Sequence, residues 1–333
     1  MPPSSKYDVI IIQNRRVVTT SVRYQIFERR VRTSNRKSRL AVTGDDRTAF
    51  LAQKREHQSV SIPYDYLIEH VDLAERQLAN SRLLILSSRK QPSGTGLLYL
   101  YGSHFFDPPG KEDFHLAAKL CVRTGCDVCI LLYPLFPQYS LHEMTESVQE
   151  AIRYVISRYA RSALIGFGEG ATLCLCACGK ANAEGNERIM PDRLILNSPF
   201  LQIPIHEERM KHLELLDERD VQIPMAYLSK DGLCAKVIEE EEASYRYLGD
   251  LLSASLIGLP ETDVYFGTNE NAYACLPEFL EKCRRENIRL HPHVGEEMMH
   301  CWGLYDNCEE SKATIREYIE LIRGLNPQKQ QER

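Results

Sequence analysis

A tight glycine turn between an apolar run and a long stretch of small residues constrains this chain most. Residues 163–178 read Ala-Leu-Ile-Gly-Phe-Gly-Glu-Gly-Ala-Thr-Leu-Cys-Leu-Cys-Ala-Cys, with glycine at 166, 168 and 170. The apolar residues before the turn predict a strand, and the small and apolar residues after it predict a helix. Glycine at the outer positions lets the strand and the helix approach closely. The stretch therefore predicts a strand–turn–helix unit with Gly168 at the centre of a strained turn.

The apolar segments on either side of this unit alternate between strand and helix patterns. Strands are predicted at 97–100, 127–133, 193–197, 262–266 and 289–293, and helices at 112–124, 141–158, 273–287 and 312–325. Two further extended runs, 66–78 and 81–87, predict an antiparallel pair at a sheet edge. Short apolar strands alternating with helices favour an α/β fold with a mostly parallel central sheet and helices on both faces.

Charge and length divide the chain further. The 333 residues suffice for one large domain or two small ones. Residues 1–56 hold 13 Lys/Arg against 5 Asp/Glu, a charge of +8, while the whole chain carries −5. We therefore expect a basic N-terminal arm or cap segment over 1–60, which we interpret as solvated rather than as a binding surface. The main domain is predicted at 61–325 with a cap-like insertion near 200–258, and 326–333 form a polar tail.

Composition argues against several classes of partner and compartment. A net charge of −5 gives no general attraction to nucleic acid or to an anionic membrane. No apolar run approaches the roughly 20 residues of a membrane span, and 9–12 is too short for the apolar part of a signal peptide. The 11 cysteines are odd in number and are not spaced like a disulfide scaffold. We therefore expect free thiols and a cytoplasmic location.

The cysteine spacings do not predict a metal or redox site. Cys126 and Cys129 have the spacing of a redox pair, but they enter a strand rather than begin a helix, so buried thiols are expected. Cys174, Cys176 and Cys178 lie two apart on a predicted helix and do not face one another. No metal and no cofactor are predicted.

Candidate chemistry lies in the loops that follow the strands, because ligands of such sheets bind at the carboxyl ends of the strands. Glu270 follows the strand that ends near Phe266, and His300 follows the last strand. Acyl transfer needs a nucleophile, a histidine base and a carboxylate that orients the base. Glu270 and His300, in that order behind the turn at Gly168, fit the last two of these roles.

Several ordered motifs together resemble the hormone-sensitive-lipase-like esterases, also called the α/β-hydrolase-3 group. The resemblance covers about residues 81–322. Residues 97–105 are similar to that family's strand ending in His-Gly-Gly, and 166–170 fall where it has Gly-Asp-Ser-Ala-Gly. The other matches are 133–138 (Tyr-x-Leu-Ala-Pro-Glu in the family), 194–199 (Leu-Ile-Leu-x-Ser-Pro), 267–270 (the acid loop) and His300 (the catalytic histidine). The resemblance implies an α/β-hydrolase fold.

The chain departs from this family where the chemistry would occur. Gly168 stands at the nucleophile position, and glycine has no side chain that can attack a carbonyl. Only Gly102 is kept from His-Gly-Gly, between Tyr101 and Ser103. The resemblance implies that Gly102, Ser103 and the backbone N–H of Glu169 still form an oxyanion or substrate-binding site, with Tyr101 as a further residue of that site.

Two functions remain open on the sequence. The first is an esterase homologue that is catalytically impaired and binds a small ester-like ligand or a protein partner, with a homodimer possible. The alternative is an active carboxylesterase of small acyl esters, in which Gly168 is an engineered or compensated change. Ser103 is the only nearby hydroxyl that we weighed as a substitute nucleophile, and an ordinary loop role is favoured for it.

Overall fold

The computed structural model describes residues 20–56, 59–89, 92–102, 104–185 and 189–326. Ser103, the first 19 residues and the predicted polar tail beyond Asn326 lie outside the described residues.

One sheet of eight strands organises the described part of the chain. The strands are β1 Asp72–Gln77, β2 Arg82–Ser87, β3 Thr95–Leu100, β4 Asp127–Leu132, β5 Arg161–Phe167, β6 Arg193–Asn197, β7 Glu261–Gly267 and β8 Leu290–Gly295. Their order across the sheet is β1-β2-β4-β3-β5-β6-β7-β8. β2 pairs antiparallel with β1 and β4, and the pairs from β4 through β8 are parallel. This confirms the predicted edge pair and the mostly parallel sheet.

Twelve α-helices accompany the sheet in the described residues. They are α1 Val22–Thr33, α2 Arg36–Leu40, α3 Gly44–Glu56, α4 Tyr64–His70, α5 Lys111–Thr124, α6 Leu141–Arg158, α7 Glu169–Ala183, α8 Glu207–Asp217, α9 Met225–Leu228, α10 Leu233–Glu239, α11 Leu276–Arg285 and α12 Glu309–Gly324. Every residue of β3 is buried, because helices cover the centre of the sheet on both faces.

One predicted element is wrong in part. The run interpreted as extended begins at residue 66, but residues 66–70 belong to helix α4, and β1 begins only at Asp72. Leu67 and Val71 are four residues apart and both fully buried, which is the period of a helix face. The strand pattern therefore holds only for the second half of the run.

The N-terminal helices pack over the carboxyl ends of the strands. Ser21 caps α1 by accepting a hydrogen bond from the N–H of Tyr24. The hydroxyl of Tyr24, which is 1% exposed, donates to the carbonyl of Glu297 at 3.0 Å and accepts from the N–H of Met299 at 2.7 Å. These bonds join α1 to the segment that follows β8. The basic N-terminal segment therefore lies directly beside the loop that carries His300.

Candidate functional site

The turn at Gly168 joins β5 to α7 and has a backbone conformation that side chains rarely adopt. Gly168 has φ +51° and ψ −119°, and its N–H donates to the carbonyl of Asn197 at 2.8 Å. A Cβ on Gly170 would lie 2.4 Å from the carbonyl oxygen of Tyr101, and a Cβ on Gly166 would lie 2.6 Å from Cα of Ala171. The outer glycines are therefore required by close backbone contact, as the spacing predicted.

His300 and Glu270 form a buried hydrogen-bonded pair that faces this turn. Nδ1 of His300 lies 2.6 Å from a carboxylate oxygen of Glu270. The other oxygen of Glu270 accepts from the N–H of Gly267 at 2.7 Å and from the hydroxyl of Ser198 at 3.0 Å. A Cβ at position 168 would lie 3.1 Å from Nε2 of His300. The free nitrogen of the imidazole therefore points at Gly168.

The surroundings of His300 favour its protonated form. Burial alone would lower the pKa of His300, but the hydrogen-bonded Glu270 carboxylate outweighs it and holds the pKa well above the ordinary value. The ring stacks on Phe200 with centroids 5.3 Å apart, and the His300 carbonyl accepts from the side-chain amide of Gln222 at 2.7 Å. The Glu270 carboxylate therefore stabilises the protonated form of a firmly positioned imidazole.

Glu169, the first residue of α7, is a buried carboxylate beside the same histidine. It is 1% exposed and accepts from the hydroxyl of Tyr227 at 3.0 Å, and Nδ1 of His104 lies 3.3 Å from the same oxygen. Burial alone would raise the pKa of Glu169, but His104 and then His300 outweigh it and lower the pKa to about 2. Glu169 is therefore ionised and links the loop after β3 to helix α9.

Glu169→Gln is expected to destabilise the protein in a pH-dependent way. A folded-state pKa of about 2, against an ordinary value of 4.5, corresponds to about 3 kcal/mol of stability above pH 4.5. This contribution disappears as the pH falls from 4.5 toward 2, because the unfolded state then binds a proton that the folded state binds less readily. Urea unfolding at several pH values should show a gap between wild type and Glu169→Gln that narrows on acidification. A gap that stays constant from pH 6 to pH 3 contradicts this assignment.

The residues predicted for the oxyanion side of the site divide into two groups. A Cβ on Gly102 would lie 2.8 Å from the carbonyl oxygen of Phe167 and 3.6 Å from a carboxylate oxygen of Glu169, so Gly102 adjoins the turn. Tyr101 is fully buried and stacks on Tyr133 with centroids 4.4 Å apart, away from the cavity described next. Ser103 lies outside the described residues. The structure thus brings Gly102, Glu169, Glu270 and His300 together around Gly168.

A cavity of about 240 Å³ lies above the turn, under helices α2 and α3. We call it the inner cavity. Gly102, Glu169 and His300 form its floor, and residues of the N-terminal segment form its roof. The residues of that segment that line it are Arg36, Arg39, Leu40 and Phe50. Residues of the basic N-terminal segment therefore form part of the cavity wall, in addition to lying beside the loop that carries His300.

Sequence reasoning missed four residues that hold the site. Ser198 follows β6 with φ +51° and accepts from the N–H of Cys301 at 3.0 Å, which places the loop that carries His300. His104 lies four residues after the end of β3, so the rule that candidate side chains follow strand ends could have identified it. Tyr227 and Gln222 lie in residues 200–258, between β6 and β7, where the sequence has no clear period and gives no signal of contact with the site.

The two cysteines with redox-pair spacing are buried thiols in the structure. Cys126 and Cys129 are buried, as expected, and burial raises the pKa of both thiols to about 12. Among the residues that the structure describes, no group of three or more His, Cys, Asp or Glu side chains lies close enough together to hold a metal ion. None of the helices described is long and apolar enough to cross a membrane.

Comparison with known proteins shows the fold through structure rather than sequence. No family model matches the sequence, and no curated protein matches it either. A Staphylococcus aureus protein superposes with a TM-score of 0.74 at 16% identity, covering 85% of this chain and 94% of its own. An esterase of the bacterial hormone-sensitive lipase family (TM-score 0.72, 18% identity) and an esterase/lipase from an uncultured bacterium (TM-score 0.72, 16% identity) each cover 92% of this chain and 99% of their own. The chain therefore has the α/β-hydrolase fold that esterases of this group share.

Proposed function

We propose that this protein is an esterase-like binding protein, which holds a small ester-like ligand in the inner cavity and hydrolyses esters slowly or not at all. One observation carries the proposal. Nε2 of His300 faces Gly168, and a Cβ built on Gly168 would lie 3.1 Å from it. Glycine has no side chain that could act as a nucleophile. The loops of the site, the buried acid–histidine pair and the cavity are all compatible with binding.

Nearby hydroxyl groups in the described residues are engaged elsewhere, and the nearby thiol is buried. The hydroxyl of Ser198 donates to Glu270, and that of Thr172 donates to the carbonyl of Phe200 at 3.1 Å. The thiol of Cys301 contacts the carbonyl of Asn197 at 3.6 Å and also the side chain of His300, but burial raises its pKa by more than His300 lowers it, so the unreactive thiol form is favoured. None of these groups offers an obvious replacement for a serine on the turn.

The surroundings of His300 also bear on its use as a base. A general base must be neutral to accept a proton, and its pKa should lie near the working pH. The Glu270 carboxylate holds the pKa of His300 well above its ordinary value. His300 could therefore activate a nucleophile or water only at a pH high enough to deprotonate it.

The alternative, an active carboxylesterase of small acyl esters with Gly168 a compensated or introduced change, has one observation in its favour. The Glu270–His300 pair keeps the geometry that such an enzyme needs, with 2.6 Å between carboxylate and Nδ1. The same pair is equally expected of a protein that retains a buried ion pair for stability. The alternative is therefore decided by turnover rather than by geometry.

The test is release of p-nitrophenol from p-nitrophenyl acetate by the wild-type chain and by His300→Ala. We expect both proteins to hydrolyse the ester at the same low rate, because without a nucleophile the histidine contributes little to turnover. Thermal-shift titration with ethyl butyrate should meanwhile raise the Tm of the wild type. Rapid release by the wild type that His300→Ala abolishes would overturn the proposal in favour of the alternative.

A further inference from the structure

A second and larger cleft adjoins the inner cavity. It has a volume of about 790 Å³ and lies among helices α1, α4 and α5 and residues 304–307. We call it the outer cleft. Arg36, Glu112, Leu304 and Tyr305 line both the outer cleft and the inner cavity, so the two spaces meet at these residues. The outer volume is within the roughly 300–1,000 Å³ that small-molecule sites occupy.

Aromatic rings form much of the outer wall. Phe27 and Tyr305 lie with ring centroids 4.9 Å apart, and Tyr66 and His115 lie with centroids 4.2 Å apart. All four line the outer cleft together with the apolar side chain of Val122. Such walls suit a flat or chain-like apolar body, because rings bury a large area with little loss of side-chain entropy.

The charges along the outer cleft are unequal. Four cations line it against two carboxylates: Arg30, Arg36, Lys119, Arg123, Glu112 and Asp306. Lys119 is paired with Asp306. Among the residues that the structure describes, no ion pair involves the three arginines. Three guanidinium groups therefore face one free carboxylate, and the cleft attracts anions.

Arg36 stands where the two spaces meet. Its guanidinium donates to the hydroxyl of Tyr305 at 3.3 Å rather than to Glu112, which lines the same junction. A guanidinium can bind a carboxylate through two parallel hydrogen bonds. The Arg36 guanidinium can therefore hold a carboxylate where the two spaces meet.

We propose that the ligand of this protein is a carboxylate with an aromatic or acyl body, whose negative group lies against Arg36 and whose body lies along the outer cleft. This rests on the proposed function and refines it: the group that lies beside the inner cavity is a free carboxylate rather than an ester, and the rest of the ligand extends into the outer cleft. It also separates the protein from its ester-cleaving neighbours, because a free acid is the product of ester hydrolysis rather than the substrate.

The test is calorimetric titration with 4-phenylbutyrate and with its methyl ester at pH 7 and low salt. The acid should bind the wild type at least about tenfold more tightly than the ester, the size expected for one charge-assisted hydrogen bond. Arg36→Gln should remove this preference by weakening only the acid. Arg29→Gln removes the same charge from an exposed position of α1 outside both spaces, and it should leave both affinities unchanged.

A variant that binds the acid more tightly than the wild type cannot owe its effect to misfolding. Glu112→Gln removes the one free carboxylate at the junction, so the acid should bind several-fold more tightly and the ester as before. Equal affinity for acid and ester in the wild type, or a preference that survives Arg36→Gln, overturns the inference while leaving the proposed function intact. Binding of neither compound overturns both.

Discussion

A serine at position 168 is expected to give this protein esterase activity. The turn holds residue 168 with its Cβ direction toward His300, at 3.1 Å from Nε2, and Glu270 holds the opposite nitrogen. Loss of a triad nucleophile typically costs about a millionfold in turnover, so its return should recover a large part of that. We expect kcat/KM for p-nitrophenyl acetate to rise by at least about a thousandfold, short of the full factor because the imidazole must move back by a few tenths of an ångström.

Two matched variants isolate the hydroxyl. Gly168→Ala adds the same Cβ in the same strained turn without a nucleophile and should stay as inactive as the wild type. His300→Ala in the Gly168→Ser background should remove the gain, because the serine then has no base. A folded Gly168→Ser protein with no gain contradicts the prediction and places the remaining defect in the loop that contains Tyr101 and Gly102.

The pH dependence of the Gly168→Ser protein follows from the same surroundings. His300 accepts the serine proton only when it is neutral, and its neighbours hold its pKa well above the ordinary value. Activity should therefore be low at pH 6 and rise steadily as the pH increases beyond 7. An activity that is already level at pH 6 would mean that the histidine is neutral there.

The sequence predicted those parts of the site that depend on local rules. The glycines at 166 and 170 mark a close approach of backbone to backbone, which no other residue permits, so their spacing alone identified the strand–turn–helix unit. Glu270 and His300 were found because each follows a short apolar strand, and parallel strands end at the same edge of a sheet. Whether they act in catalysis stays a prediction, whereas their meeting at 2.6 Å is a feature of the structure.

The sequence could not predict the parts of the site that depend on distant contacts. Tyr227 reaches Glu169 across 58 positions, from a segment between β6 and β7 whose helices are too short to show a clear period. The packing of α1 on the segment after β8 depends on the hydroxyl of Tyr24, whose partners lie more than 270 residues away. The many arginines of the N-terminal segment obscured the periodicity of its buried apolar residues. Nothing in their sequence pattern indicated that Arg36 lines the cavity.

Glu270→Ala is expected to destabilise the protein strongly. The carboxylate is fully buried and binds Gly267, Ser198 and His300 at once. Its removal leaves three buried donors, on Gly267, Ser198 and His300, without their acceptor, and each typically costs about 1–3 kcal/mol. Urea unfolding at pH 7 should show this loss. Glu296→Ala removes an exposed carboxylate from the loop after β8 and should change stability by less than about 0.5 kcal/mol.

The Glu270→Ala/His300→Ala double variant tests why a pair without a serine would persist. Suppose that each single variant loses stability mainly because it leaves the other side chain without its partner. The double variant then loses less stability than the sum of the two single losses, because neither side chain remains. A loss equal to the sum would mean that the two side chains stabilise the fold independently. A loss smaller than the sum explains the retained pair by stability alone. A serine on the turn can be replaced in one substitution, whereas loss of either Glu270 or His300 alone strongly destabilises the fold. An intact acid–histidine pair in this fold is then not by itself evidence of turnover.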